Sequence, residues 1–237
     1  MTPKIIFSGD TSINVVFENV ISEKISHQVL NLAKSVENQH IIGLLDIVPA
    51  YRVVTFVFDP LVIDIVAFQS FLQVHLAQQL DDSTSNDGKL YKVPVLYDEE
   101  VGLDLLEVAK YHDLSVAEVI RLHTNPTYRI YMLGFLPGFA YLGGLDAKLH
   151  TPRKETPRLR IPAGSIGIAG QQTGYYPVVS PGGWQIIGQT PLVVFDANRP
   201  EINFHAGDSV QFYAIDKHEF QQLAGTPFND FFAEAST

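Results

Sequence analysis

The chain has no cysteine among its 237 residues. Disulfides, thiol nucleophiles and cysteine-ligated zinc are therefore excluded. No run of about 18 apolar residues occurs, so no helical membrane span is expected. The opening MTPKIIFSGD lacks the basic start, apolar middle and small-residue cleavage site of a secretory signal. Together these point to a cytoplasmic protein. Positive charge is scarce, with 16 Lys and Arg against 26 Asp and Glu and a net charge of −10. Nucleic acid, which needs a field of positive charge, is a poor partner for such a chain. Neither GxxxxGK[ST] nor GxGxxG is present, and AGSIG at 163–167 misses GxSxG. The eight histidines show neither HxH nor HxxxH spacing. No tightly bound metal is expected.

What is present is concentrated in one stretch, residues 134–191. It holds 11 of the 17 glycines, 7 of the 14 prolines and the only tryptophan, Trp184. Glycine admits backbone shapes that other residues resist and lets a main chain approach a ligand, while proline fixes φ. With Phe135, Phe139, Tyr141, Tyr175, Tyr176 and Trp184, this composition describes tight turns carrying aromatic walls. Charge within the stretch runs against the whole: Lys148, Arg153, Lys154, Arg158 and Arg160 face only Asp146 and Glu155. From Ile161 to Pro191 there is no Asp, Glu, Lys or Arg at all. A short basic arm beside a neutral, hydrogen-bonding, aromatic lining suits a small anion, because arginine grips a carboxylate or phosphate with two parallel bonds. The same arm could instead be a solubilising strand edge.

The first ~88 residues read as an α/β unit. Lys4–Ser8 and Ser12–Phe17 are strand candidates around Gly9–Asp10. A helix follows with Ile21, Ile25, Val29, Leu32 and Val36 on one face. Leu44–Val48 and Tyr51–Phe58 are strands, and a second helix starts at Asp64, a good N-cap. Two helices on a small antiparallel sheet suggest a ferredoxin-like plait. The polar run 81–89 reads as a linker, placing the units at 1–88 and 89–237. Two short helices then carry capping-box patterns, Asp104 with Glu107 and Ser115 with Glu118. They resemble a helix-turn-helix but are too acidic to bind DNA, and are expected to pack on a barrel and pose His123. Strands are expected at 91–97, 128–135, 158–169, 185–187, 192–195 and 209–215. Their spacing suggests a closed or nearly closed barrel, giving an α+β chain overall.

The site candidates follow from chemistry. Arg153 and Arg158 offer an anion grip or a surface salt bridge. Gln171, Gln172 and Thr173 offer amide and hydroxyl bonds or turn capping. Tyr176, Ser180 and Trp184 offer a wall or a packing cluster. His123 offers an acid–base group near neutral pH or a structural histidine. Asp208 reads as a turn residue.

The strings GFLPGFAYLGGLD, PRKETPR, IPAGSIGIAGQQTGYYPVVSPGGW and IGQTP resemble the signature of the 5-oxoprolinase B-subunit family. That family is also called allophanate hydrolase subunit 1 or the KipI sporulation-kinase inhibitor family. GD at 9–10, IVPAY at 47–51, FDP at 58–60, LHT at 122–124 and AGDSV at 206–210 extend the resemblance over essentially the whole chain. One departure is Gln189, where the family usually has Arg. The resemblance implies a ferredoxin-like domain followed by a cyclophilin-like β-barrel. It also implies ATP-dependent opening of 5-oxoproline to L-glutamate, with Mg as the counter-ion of ATP and with partner subunits A and C. On that reading His123, Arg158 and Gln172 are catalytic candidates. Arg153, Gln171, Thr173, Tyr176, Ser180 and Trp184 are substrate-binding candidates. The family's inhibitor branch implies an alternative, a protein that docks on a sensor histidine kinase. A third reading is an accessory part of a urea or amide carboxylase, since no AMKM-like biotin site is present.

Overall fold

The computed structural model describes residues 3–79, 88–202 and 204–234. Most of the 81–89 run expected as a linker lies outside them. The chain divides into two compact units, 1–87 and 88–237.

The first unit runs β1 (Lys4–Phe7), β2 (Ser12–Val16), α1 (Glu23–Glu37), β3 (Leu44–Pro49), β4 (Val53–Phe58) and α2 (Ile65–Gln79). Ser22 caps α1 by accepting from the Ile25 amide at 3.2 Å. Asp64 caps α2 by accepting from the Ala67 amide at 3.0 Å. Alternation in the strands sends Ile13, Val15, Val54, Phe56 and Phe58 to one face, against Val29, Leu32, Val36, Phe68 and Leu72 of the helices. Each fully buried side chain of this kind contributes roughly 1.5–3 kcal/mol. The antiparallel order is β1-β2-β4-β3. The chain therefore runs ββαββα, not the βαββαβ of a ferredoxin-like plait. The cause is local: Gly9, at φ 73, turns β1 straight back onto β2, so no helix separates the first two strands. The strand order is that of a plait whose last strand has moved to the chain start.

The second unit contains β5 (Leu90–Leu96), α3 (Leu105–Tyr111), α4 (Val116–Thr124), β6 (Tyr128–Leu133), β7 (Ala140–Gly143), β8 (Arg158–Ile161) and β9 (Ser165–Ala169). It continues with β10 (Gln172–Tyr175), β11 (Ser180–Gly182), β12 (Gln185–Gln189), β13 (Ser209–Ile215), α5 (Lys217–Leu223) and α6 (Phe228–Glu234). Seven strands close a barrel in the order β10-β7-β6-β13-β5-β12-β9. Its core gathers Val93, Val95, Ile130, Leu142, Ile166, Ile168, Ile187 and Phe212. β5 and β13 run parallel from Leu90↔Ser209 to Leu96↔Ile215. Asp208 locks their common start, accepting from the Lys89 amide at 2.9 Å and the His205 amide at 2.7 Å.

Two strand expectations change. The run 158–169 is broken at Pro162–Gly164, where Gly164 has φ 78 and its backbone lies against the Thr190 carbonyl. The first half leaves the barrel and pairs with β11 as a two-stranded ribbon. Residues 192–195 form no strand; Val193 makes a single bridge to Pro227. β7, β10, β11, α5 and α6 have no counterpart among the expectations, being short or placed inside the Gly- and Pro-rich stretch.

Candidate functional site

His123 lies on α4, held there by a helix whose Ser115 cap accepts from the Glu118 amide at 3.1 Å. Its side chain enters the barrel core and is 0% exposed. Tyr97 Oη lies 2.7 Å from Nδ1, and Thr173 Oγ1 lies 2.8 Å from Nε2. Phe212 stacks on the ring at 4.9 Å. Burial alone pushes the imidazole down to about 3. Of the two readings, an acid–base group near neutral pH or a structural histidine, this geometry favours the second: both nitrogens are engaged by buried hydroxyls. Thr173 belongs with it. Its hydroxyl donates to the Gly167 carbonyl at 3.1 Å, is 0% exposed, and serves the core instead of a ligand.

The basic arm is organised by Asp104, whose carboxylate is fully buried. Arg158 donates to both of its oxygens at 2.7 Å. Lys154 donates from Nζ at 2.8 Å, and the Ile186 amide donates at 2.7 Å. Burial would raise the Asp104 pKa, but the bonds from Arg158, Lys154 and the Ile186 amide outweigh it and hold the carboxyl below its ordinary value. Two corrections follow. Asp104 does not cap α3 with its side chain, because the carboxylate serves groups some fifty or more residues away. Arg158, expected as an anion grip or salt bridge and as a catalytic candidate, has its two-pronged face filled by Asp104 and acts as a structural tie.

Beside this hub lies a second apolar cluster of Phe139, Ile161, Tyr176, Trp184 and Ile186. Phe139 meets Trp184 edge-on at 5.5 Å and Tyr176 at 5.4 Å. Trp184 is 4% exposed. The indole has room because Gly167 and Gly174 are paired across β9 and β10. A Cβ on Gly174 would sit 2.7 Å from the Ala140 carbonyl oxygen and 3.4 Å from the Trp184 ring. Gly174→Ala is therefore expected to cost about 1–3 kcal/mol and to shift Trp184 emission to the red. Thermal melting and intrinsic fluorescence check this; an unchanged melting temperature counts against the close fit.

At the edge of this cluster the Arg153 guanidinium lies over the Trp184 ring, 5.9 Å from its centroid. Arg153 is exposed, and among the described residues no carboxylate pairs with it. Phe135, 62% exposed, extends the cluster outward from Phe139 at 5.5 Å. It holds φ 66, a left-handed conformation unusual for a bulky residue.

The remaining candidates are dispersed. Gln171 is exposed at the turn before β10, and Gln172 is half-buried at its start. Tyr176 is buried, its phenol bonded by the Trp184 main chain. Ser180 is 7% exposed, and its hydroxyl has no partner among the described residues. Arg153, Tyr176 and Trp184 come together; His123 and Thr173 form a separate buried group. Asp104 escapes a reading of the sequence as a hub, because its D-x-x-E context signals a local cap. A cleft of about 330 Å³ also opens beside Pro177, Val179, Gln189, Leu192, Phe195 and Phe220. No ionisable side chain lines it, so it does not suit a small anion. Gln189, the position departing from the resemblance, stands in its wall and donates to the Ala163 carbonyl at 2.7 Å.

Residues 3–205 match the family described as carboxyltransferase domain, subdomain C and D. The chain is 39% identical to the 5-oxoprolinase B subunit of Bacillus subtilis over 226 residues, covering 90% of this chain and 92% of that one. Among solved structures, TTHA0988 superposes with a TM-score of 0.76 at 35% identity. The match covers 86% of this chain but only 40% of TTHA0988. The urea amidolyase of K. lactis superposes with a TM-score of 0.77 over 99% of this chain and 17% of that one; at 18% identity this shows the shared fold alone. With 39% identity to the B. subtilis protein over nine-tenths of both chains and a family match over most of its residues, the chain belongs to the carboxyltransferase domain, subdomain C and D family, together with the 5-oxoprolinase B subunits.

Proposed function

We propose that this chain is the B subunit of an ATP-dependent 5-oxoprolinase, working with subunits A and C to convert 5-oxo-L-proline to L-glutamate. The observation that carries this is the 39% identity to the B. subtilis 5-oxoprolinase B subunit over nine-tenths of both chains. The chemistry calls for more than one component. A lactam is a stabilised amide, so ring opening by water alone is slow. Phosphorylation of the lactam oxygen by ATP, with release of ADP, activates the carbon; one water adds there and the C–N bond opens, freeing the amine and leaving an acyl phosphate, which a second water hydrolyses to the new carboxylate and inorganic phosphate.

Among the described residues this chain offers no glycine-rich phosphate cradle followed by lysine, so it handles ATP either without a standard cradle or at a site shared with a partner. The barrel, taken as cyclophilin-like, then holds the lactam substrate, and the complex works in the cytoplasm. Mg accompanies ATP as its counter-ion. The test is glutamate release from 5-oxoproline and ATP by subunits A and C of the same organism, with and without this chain. Release should fall to background without it. Release by A and C alone at the full rate removes the assignment.

A further inference from the structure

Once Asp104 is taken into account, the five cations of the arm are not equivalent. Arg158 and Lys154 are bonded to the buried Asp104 carboxylate. Arg160 and Lys148 are exposed, and neither touches the aromatic cluster in any ring contact. Arg153 alone lies on a ring, Trp184, and has no carboxylate partner among the described residues. A guanidinium held over an indole by cation–π attraction keeps its N–H groups available to an anion, because the ring spends none of them in hydrogen bonds. It is a preorganised grip for one planar, two-oxygen anion. The indole is itself fixed, seated on the Gly167–Gly174 pair and wedged by Phe139 and Tyr176. A buried hydroxyl belongs to the ribbon strand that borders the same cluster. The Ser180 hydroxyl is more than nine-tenths buried and has no partner among the described residues. Its residue pairs with Ile161, which packs in the cluster with Trp184. Buried hydroxyls left without any partner are rare and call for a bound group or water.

We propose that Arg153, carried on Trp184, is the carboxylate grip of this chain, and that the ligand it takes is the α-carboxylate of 5-oxoproline. The ligand's name rests on the function proposed above; the grip rests on the geometry. Phosphate oxygens of ATP share the same chemistry, so the two sources must be separated by experiment.

Trp184 is the only tryptophan, which makes its fluorescence a direct reporter. The purified chain is titrated separately with 5-oxo-L-proline, with 2-pyrrolidinone, which is the same lactam without the carboxylate, and with Mg-ATP. A saturable change with 5-oxoproline alone is expected. Arg153→Ala should weaken it about tenfold or more, the loss of a charge-assisted pair. Arg153→Lys should weaken it several-fold, because lysine lacks the two-pronged edge. Arg160→Ala, a neighbouring exposed cation, should leave it unchanged. Should the isolated chain show no change, the same variants are read as KM for 5-oxoproline with A and C present, and Arg153→Ala should raise KM about tenfold. Affinity or KM unmoved by Arg153→Ala overturns the proposal. So does 2-pyrrolidinone binding as tightly as 5-oxoproline, or saturation by ATP in place of 5-oxoproline. Any of these can occur while glutamate release still requires this chain, so the grip and the enzymatic role fail separately.

Discussion

Asp104→Ala is expected to destabilise the barrel unit by about 3–5 kcal/mol, lowering its melting temperature by about ten degrees. The carboxylate has no exposure and accepts four hydrogen bonds, from Arg158 twice, Lys154 and the Ile186 amide. Removing it leaves two cations at the wall of a cavity and an amide of β12 without its partner. Asp104→Asn keeps the volume but supplies a donor where only acceptors fit, so it should recover little. Arg158→Met is expected to cost less, because Lys154 and the amide still satisfy the carboxylate and Arg158 itself is partly solvated. Acid sharpens the test. The native Asp104 carboxyl titrates below its ordinary range. Its contribution is therefore complete above the unfolded value and is lost as pH falls through the native one. The gap between wild type and Asp104→Asn in urea unfolding should be widest at neutral pH and shrink below about pH 4. A gap under about 1 kcal/mol at pH 7 places the network with ordinary surface pairs.

Asp104 also shows where sequence reading succeeds and where it stops. Local patterns were legible. Asp64 and Ser115 cap the helices they precede, and the spacing of Val29, Leu32 and Val36 marks the buried stripe of α1. The 209–215 strand is β13 residue for residue. These signals depend on neighbours within one or two turns of chain. Asp104 carries the same local signal and directs its carboxylate elsewhere, to partners at 154, 158 and 186. Nothing in a D-x-x-E pattern reports a partner fifty residues away. The concentration of cations at 148–160 was visible, but not that two of them neutralise one buried acid. The exception is Arg153, whose contact with Trp184 joins two features that the sequence placed in the same stretch. Inside that stretch the glycines hid strands. Gly167 falls inside the expected 158–169 strand and Gly174 inside no expected element, yet the two are paired strand positions emptied of side chain to seat an indole. The first strand pair of the chain shows the converse: the elements of that unit were legible singly, but their order in the sheet depends on which turn is tight.

Lowering the pH from about 6.5 to 3 should cost the protein about 1.4 kcal/mol per unit through His123 alone. The reason is in the bonding. Thr173 gives its hydroxyl hydrogen to the Gly167 carbonyl and so accepts from His123, which fixes the proton on Nε2. Nδ1 is then the bare nitrogen and accepts from Tyr97, whose phenol is held protonated well above its ordinary range, first by burial. A second proton on the ring would have to enter Nδ1, break the Tyr97 bond and place a charge among Tyr128 and Phe212. The native imidazole therefore stays neutral down to about 3, while the unfolded one charges near 6.5. Because the native value is the lower, the unfolded state binds the extra proton throughout that window, and stability falls as pH falls. His123→Gln offers one donor and one acceptor without a titration. It should be less stable than wild type at pH 8, yet its urea midpoint should change less between pH 7 and pH 4. His123→Ala, which adds a cavity and orphans two hydroxyls, should cost about 3–5 kcal/mol at pH 8. A His123 ring resonance that titrates near pH 6.5 in the folded protein contradicts this account and returns the residue to the acid–base role. If the resonance is silent across that range, any neutral-pH limb in the rate profile of the assembled enzyme belongs to another group.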